Sequence, residues 1–140
     1  MVRVPDNGET RITKTLDEKK DMGQYHILIV DDVPLNLAVL KALLKKMGVG
    51  DVETAVDGQK AWEKLQASER PFDCVLTDIR MPKMDGKQLV AKIRADERFA
   101  GLPVYAVTAD IEEQKTFVEH KFTGTLLKPL TVEKLSGLFK

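Results

Sequence analysis

From Tyr25 onward the chain alternates between two hydrophobic rhythms, and this alternation constrains its fold more than any other feature. "YHILIV" is a continuous apolar run, which suits a strand buried on both faces. "LNLAVLKALLKKMG" then spaces Leu37, Leu40, Leu44 and Met47 as one helix face and stops at Gly48. The pair of rhythms repeats. "DVETAV", "FDCVLTD", "LPVYAVTA" and "GTLLK" read as strands. "GQKAWEKLQASE", "KQLVAKIRADE", "EEQKTFVEHK" and "TVEKLSGLF" read as helices, with Ala61, Leu65, Leu89, Val90 and Ile93 turned inward. Five β–α units in succession predict a parallel sheet with helices on both faces.

What precedes this pattern is different. Residues 1–24 show no sustained apolar period; "PDNGET" is turn chemistry and "DEKKD" a solvated charge run. This stretch reads as a linker or disordered lead-in, and residues 25–140 as one domain. Lys+Arg and Asp+Glu both number 22, so the formal charge is zero. That argues against nucleic acid or an anionic membrane as ligand, since both select basic surfaces. No apolar run reaches membrane-span length, and the polar N-terminus lacks the apolar core of a signal peptide. The single cysteine, Cys74, cannot form an internal disulfide and lies in an apolar run, as an inert buried thiol would. Together these features point to the cytoplasm.

The polar residues that break the apolar runs stand at strand ends. Asp31 and Asp32 close the first strand, Asp78 the third, Thr108 the fourth and Lys128 the fifth. In an open parallel sheet the carboxyl ends of all strands share one edge, where ligands bind. Three carboxylates gathered there repel one another unless a cation is present. Hard oxygen donors suit Mg²⁺, which shares its shell with water and phosphate oxygens. Lys128 can neutralise charge on a transferring phosphoryl group, and Thr108 can donate a hydrogen bond to it. A carboxylate can itself be the nucleophile, and Asp78, on the central strand, is the candidate.

"ILIVDD", "LTDIRMPKMDG", "VYAVTA" and "LLKP", in this order, resemble the receiver domain of two-component response regulators. The resemblance covers about residues 25–140. It implies a flavodoxin-like (βα)5 fold with strand order 2-1-3-4-5, in which Asp78 accepts phosphate from a phosphohistidine. It implies Mg²⁺ held by Asp32, Asp78 and the carbonyl of Arg80, with Asp31 acting largely through water. Thr108 and Lys128 would contact the phosphoryl group, and the Lys128–Pro129 bond would be cis. The implied partner is a histidine kinase or a histidine phosphotransfer domain, and a phosphorylation-dependent dimer stays open. The only reactions implied are the domain's own phosphorylation and dephosphorylation. "DDVPLNLAVL" is similar to the opening of receivers in hybrid histidine kinases, so the resemblance implies either a hybrid-kinase receiver or a single-domain regulator.

The chain departs from the family where an aromatic residue commonly lies three positions before the lysine: that residue is Thr125. A conventional threonine–aromatic switch is therefore not expected. Arg80 and Asp110, each two residues past a site residue, are expected to pair across the cleft.

Plainer readings stand beside these. Asp31 and Asp32 could cap the helix that begins near Pro34. Asp85 reads as a cap, Trp62 as packing against the sheet edge, Met81 and Met84 as loop fillers, and His26 and His120 as bystanders. Two other functions compete. A pseudo-receiver that only binds partners would lack an acid or the lysine, and all are present. An aspartate-nucleophile phosphohydrolase resembling the haloacid dehalogenases wants a second Asp where Arg80 stands.

Overall fold

The computed structural model describes residues 10–12, 21–110 and 121–139. Five parallel strands, β2 (His26–Val30), β3 (Asp51–Ala55), β4 (Cys74–Asp78), β5 (Val104–Thr108) and β6 (Gly124–Leu127), lie in the order β3-β2-β4-β5-β6. Counted from β2, this is the expected 2-1-3-4-5 order of a flavodoxin-like fold. The chain leaves β2 for the edge strand β3 and returns to β4 on the other side of β2. The carboxyl ends of β2 and β4 thus flank the point where strand order reverses.

One strand was not foreseen. β1 (Thr10–Ile12) runs antiparallel along β6, pairing Arg11 with Thr125, so the sheet has six strands rather than five. A 3-10 turn over Met22–Gln24 leads into β2, with Met22 packed against the core. Parts of the expected lead-in are therefore structured. The open edge of β6 offers unpaired N–H and C=O groups, and a three-residue segment is enough to meet them.

α1 (Pro34–Lys46), α2 (Gly58–Ala67), α3 (Gly86–Ala95) and α4 (Val132–Ser136) match the expected helices to within a few residues. Proline opens α1, where no intrahelical N–H is needed, and Gly48 follows its end at φ 98°. Asp57, Asp85 and Thr131 cap the other three by accepting backbone N–H bonds. The helix expected over "EEQKTFVEHK" falls almost wholly on residues 111–120, outside the described residues, as does His120. No helix among the described residues is long and apolar enough to cross a membrane.

Alternation along the strands builds a core on each face. Ile27, Ile29, Leu76, Tyr105 and Leu126 pack with Leu37 and Leu44 of α1 and Leu135 of α4. Leu28, Val75, Val104 and Ala106 pack with Ala61, Leu65, Leu89, Val90 and Ile93 of α2 and α3. Each large side chain buried this way contributes about 1.5–3 kcal/mol. Cys74 is buried, and desolvation, helped by the Asp73 charge, pushes its thiol far up. Trp62 packs against this second core, where it meets Phe99 edge-on at 5.7 Å, with the Lys92 ammonium 5.4 Å from its ring. His26 opens β2, stacked on Phe72 at 3.9 Å, and its Nε2 meets the Glu53 carboxylate.

Candidate functional site

The register of the parallel sheet brings the strand-end residues into line. Val30 lies beside Thr77, Asp78 beside Val107, and Thr108 beside Leu127. The ladder runs one step further on each side: Asp31 N–H donates to Ala55 O at 3.1 Å, and Lys128 N–H to Thr108 O at 2.8 Å. Residues spread over nearly a hundred positions of sequence thereby meet on one edge.

Carboxylate oxygens of Asp31, Asp32 and Asp78 lie within 4.8 Å of one another. The Lys128 Nζ stands 3.3 Å from Asp31 Oδ2 and 3.6 Å from Asp78 Oδ2. Neither Asp31 nor Asp32 caps α1, whose N-cap is Val33 and carries no side-chain cap bond. Instead Asp31 Oδ1 accepts the Val33 N–H at 2.9 Å and Oδ2 accepts the Asn36 side-chain amide at 3.2 Å. Asn36 was not singled out as a site residue, although the "DD-x-x-x-N" spacing contains it: one helical turn brings it back to Asp31.

Asp78 is held on its other side. Its Oδ1 accepts the Ile79 N–H at 2.8 Å, which leaves Oδ2 toward Lys128. Burial raises its pKa above the ordinary carboxylate value; Lys128 opposes this, Asp31 adds to it, the Ile79 N–H opposes it and Asp32 adds to it. The loop after Asp78 turns back at once, with Gly86 N–H donating to Ile79 O at 2.8 Å. A Cβ on Gly86 would stand 2.3 Å from Asp78 O, so this approach requires glycine.

Thr108 is buried, and its Oγ1 accepts the Asp110 N–H at 3.0 Å. The expected Arg80–Asp110 pair is present over the cleft, Nη2 to Oδ2 at 3.2 Å, with side chains 76% and 42% exposed. The Lys128–Pro129 bond is cis. Asp85 and Gln88 form a capping box, as the plain reading held. Met84 is buried and Met81 is packed beside it in the loop.

The departure at position 125 has a definite geometry. Thr125 lies beside Ala106 in register, whereas Leu126 belongs to the opposite core with Tyr105. Thr125 and Tyr105 therefore face opposite sides of the sheet, and Tyr105 cannot stand in for an aromatic residue at 125. Thr125 is fully buried, and among the described residues its hydroxyl has no hydrogen-bond partner.

The chain as a whole is similar to known proteins. The family described as response regulator receiver domain matches residues 27–140. Chemotaxis protein CheY-3 of Vibrio cholerae serotype O1 is 36% identical over 120 residues, 81% of this chain and 91% of that protein. Sensor histidine kinase CheAY of Helicobacter pylori is 31% identical over 134 residues, 94% of this chain but 16% of that protein. The crystal structure of the receiver domain of sensor histidine kinase PA1611 from Pseudomonas aeruginosa PAO1 has a magnesium ion coordinated in its active site cleft. It superimposes with a TM-score of 0.74 at 28% identity, covering 82% of this chain and 93% of that one. The family match begins one residue into β2 and leaves only β1 and the lead-in outside it, and the chain belongs to the response regulator receiver domains of two-component systems.

Proposed function

We propose that Asp78 takes a phosphoryl group from a phosphohistidine. One observation carries this reading: three carboxylates and one ammonium converge at the strand edge. Their formal charge is two negative (three minus one), the complement of one divalent cation. All-oxygen donors in that number suit Mg²⁺. Asp32, Asp78 and the backbone carbonyl of Arg80 would hold it, with Asp31 acting largely through water. When bound, the ion supplies positive charge to the oxygens of the phosphoryl group.

The rest of the chemistry belongs to the chain. The Asp78 carboxylate forms the new O–P bond as the N–P bond of the phosphohistidine breaks, and the electron pair returns to the imidazole. Burial strips water from Asp78, and the Ile79 N–H fixes its orientation. The Lys128 ammonium, already between Asp31 and Asp78, follows the charge onto the phosphoryl oxygens. The Thr108 hydroxyl accepts from Asp110 N–H, so its own proton is available to a phosphoryl oxygen.

The donor is a histidine of a kinase or of a phosphotransfer domain, met in the cytoplasm. CheY-3 is matched over nearly its whole length and CheAY over a small part of it. A domain of this kind thus serves either as a regulator by itself or as one part of a kinase, and both settings suit this chain. Incubation with Mg²⁺ and acetyl phosphate, followed by intact mass, tests the reading. The parent is expected to gain one phosphoryl group, and Asp78→Asn and the chelated parent none. If the parent gains none and also fails to bind beryllofluoride, the domain is a pseudo-receiver.

A further inference from the structure

We propose that Lys134 is a positioning residue for Lys128, and through it for the phosphoryl group; this rests on the phosphoacceptor reading above. Lys134 lies on α4, outside the acid cluster. Its Nζ donates to Leu127 O at 2.9 Å and to Pro129 O at 2.8 Å. These are the carbonyls of the residues immediately before and after Lys128.

The anchor is itself held. The Lys134 N–H donates to the Thr131 hydroxyl that caps α4, at 3.2 Å. Its side chain then reaches back across the cap to the end of β6. Lys128 is thereby gripped from two directions. Its own N–H is bonded to Thr108 O of β5 at 2.8 Å, and the carbonyls of the residues on both sides of it, Leu127 and Pro129, are bonded to α4 through Lys134.

This grip matters because of what Lys128 must do. A lysine stem is flexible, so the place of its ammonium depends on where the backbone starts it. Here the ammonium must lie close to Asp31 and Asp78 at once, at 3.3 and 3.6 Å. A shift of about 1 Å in such a group is enough to slow a positioned reaction by up to about a hundredfold. Among the described residues this one ammonium ties the segment 127–129 directly to α4 through two of its carbonyls.

The test compares the parent, Lys134→Met and Lys134→Arg. Methionine keeps the stem and removes the donors; arginine keeps charge and donors. Phosphoryl uptake from acetyl phosphate with Mg²⁺ is followed over a range of donor concentration, beside the thermal midpoint and Mg²⁺ affinity. Lys134→Met is expected to lower the saturating rate about tenfold, with half-saturation and Mg²⁺ affinity within about twofold of the parent, since Lys134 touches neither the donor nor the three acids. Lys134→Arg is expected to restore most of the rate. Should Lys134→Met not fold, Lys134→Gln, too short to span both carbonyls, is expected to show the same loss. An unchanged saturating rate in the folded variant overturns the proposal. So does a loss that Lys134→Arg does not restore, or one that tracks the thermal midpoint alone. If the parent takes up no phosphoryl group, the receiver reading fails and this proposal with it; uptake by the parent with no effect at 134 defeats this proposal only.

Discussion

The Lys128 ammonium lies 3.6 Å from the Asp78 carboxylate, although fifty residues of chain separate them. Among the described residues it is the cation paired with the acid cluster, at Asp31 as well as Asp78. Lys128→Met should therefore expose the mutual repulsion of Asp31, Asp32 and Asp78. In metal-free buffer at neutral pH the variant is expected to lose about 1–3 kcal/mol. Adding Mg²⁺ should restore more stability to the variant than it adds to the parent. Melting curves with and without the ion check this; equal responses would show that Lys128 does not offset the cluster.

Asp78 pulls in the opposite direction. Its folded pKa is raised above the ordinary 3.8, first by burial. Below that ordinary value the residue is neutral in both folded and unfolded chains, and no stability is lost. As the pH rises, the unfolded chain ionises first and the folded state loses stability, until the pH passes the raised value. Asp78→Asn in metal-free buffer should thus be more stable than the parent at pH 7, by on the order of 1 kcal/mol. The difference should shrink toward pH 4. Denaturant midpoints over that range would contradict the assignment if the gap were flat.

Arg80 and Asp110 close over the cleft at 3.2 Å, both substantially exposed. A pair this exposed contributes about 0–1 kcal/mol, so Arg80→Ala should leave stability nearly unchanged. If the pair shields the acyl phosphate from water, the phosphorylated variant should lose its label several times faster than the parent. Decay of the phosphorylated mass is the readout, and an unchanged lifetime removes the shielding role.

Gly86 admits the backbone of Asp78 to within a distance no Cβ allows. Gly86→Ala must push back the strand end that carries the nucleophile. A loss of about 1–3 kcal/mol is expected, together with slower phosphoryl uptake in the folded fraction. Uptake at the parental rate would mean that the strand end tolerates the shift.

Thr125 buries a hydroxyl without a partner among the described residues. Thr125→Val removes that hydroxyl and keeps the shape, so it should raise stability by about 1 kcal/mol. A lower thermal midpoint would show that the hydroxyl is satisfied in solution.

Much of this architecture was readable in one dimension. Period and punctuation are local properties, so the strands at "ILIV" and "CVLTD" and the helix face of Leu37 and Leu44 follow from side-chain spacing alone. The acid cluster was legible for the same reason: a parallel sheet places all carboxyl ends on one edge, whichever helices join them. The contact of Trp62 with Phe99 was not legible because Phe99 lies on another segment. β1 was missed because three residues carry too little pattern; only the open edge of β6 gives them something to pair with. Asn36 stood in a noted motif but was given no role, because only the turn of α1 brings its amide to Asp31.

The order of residue types along this chain determined by itself the class of fold, the strand ends, and the five residues placed there, because each depends on backbone period and on chirality that all such sheets share. The tertiary structure alone decided that Lys128 bridges Asp31 and Asp78, that Thr125 and Tyr105 face opposite cores, and that Lys134 grips the carbonyls on either side of Lys128. These depend on angstrom-scale distances between segments far apart in sequence, which packing sets and no local pattern records.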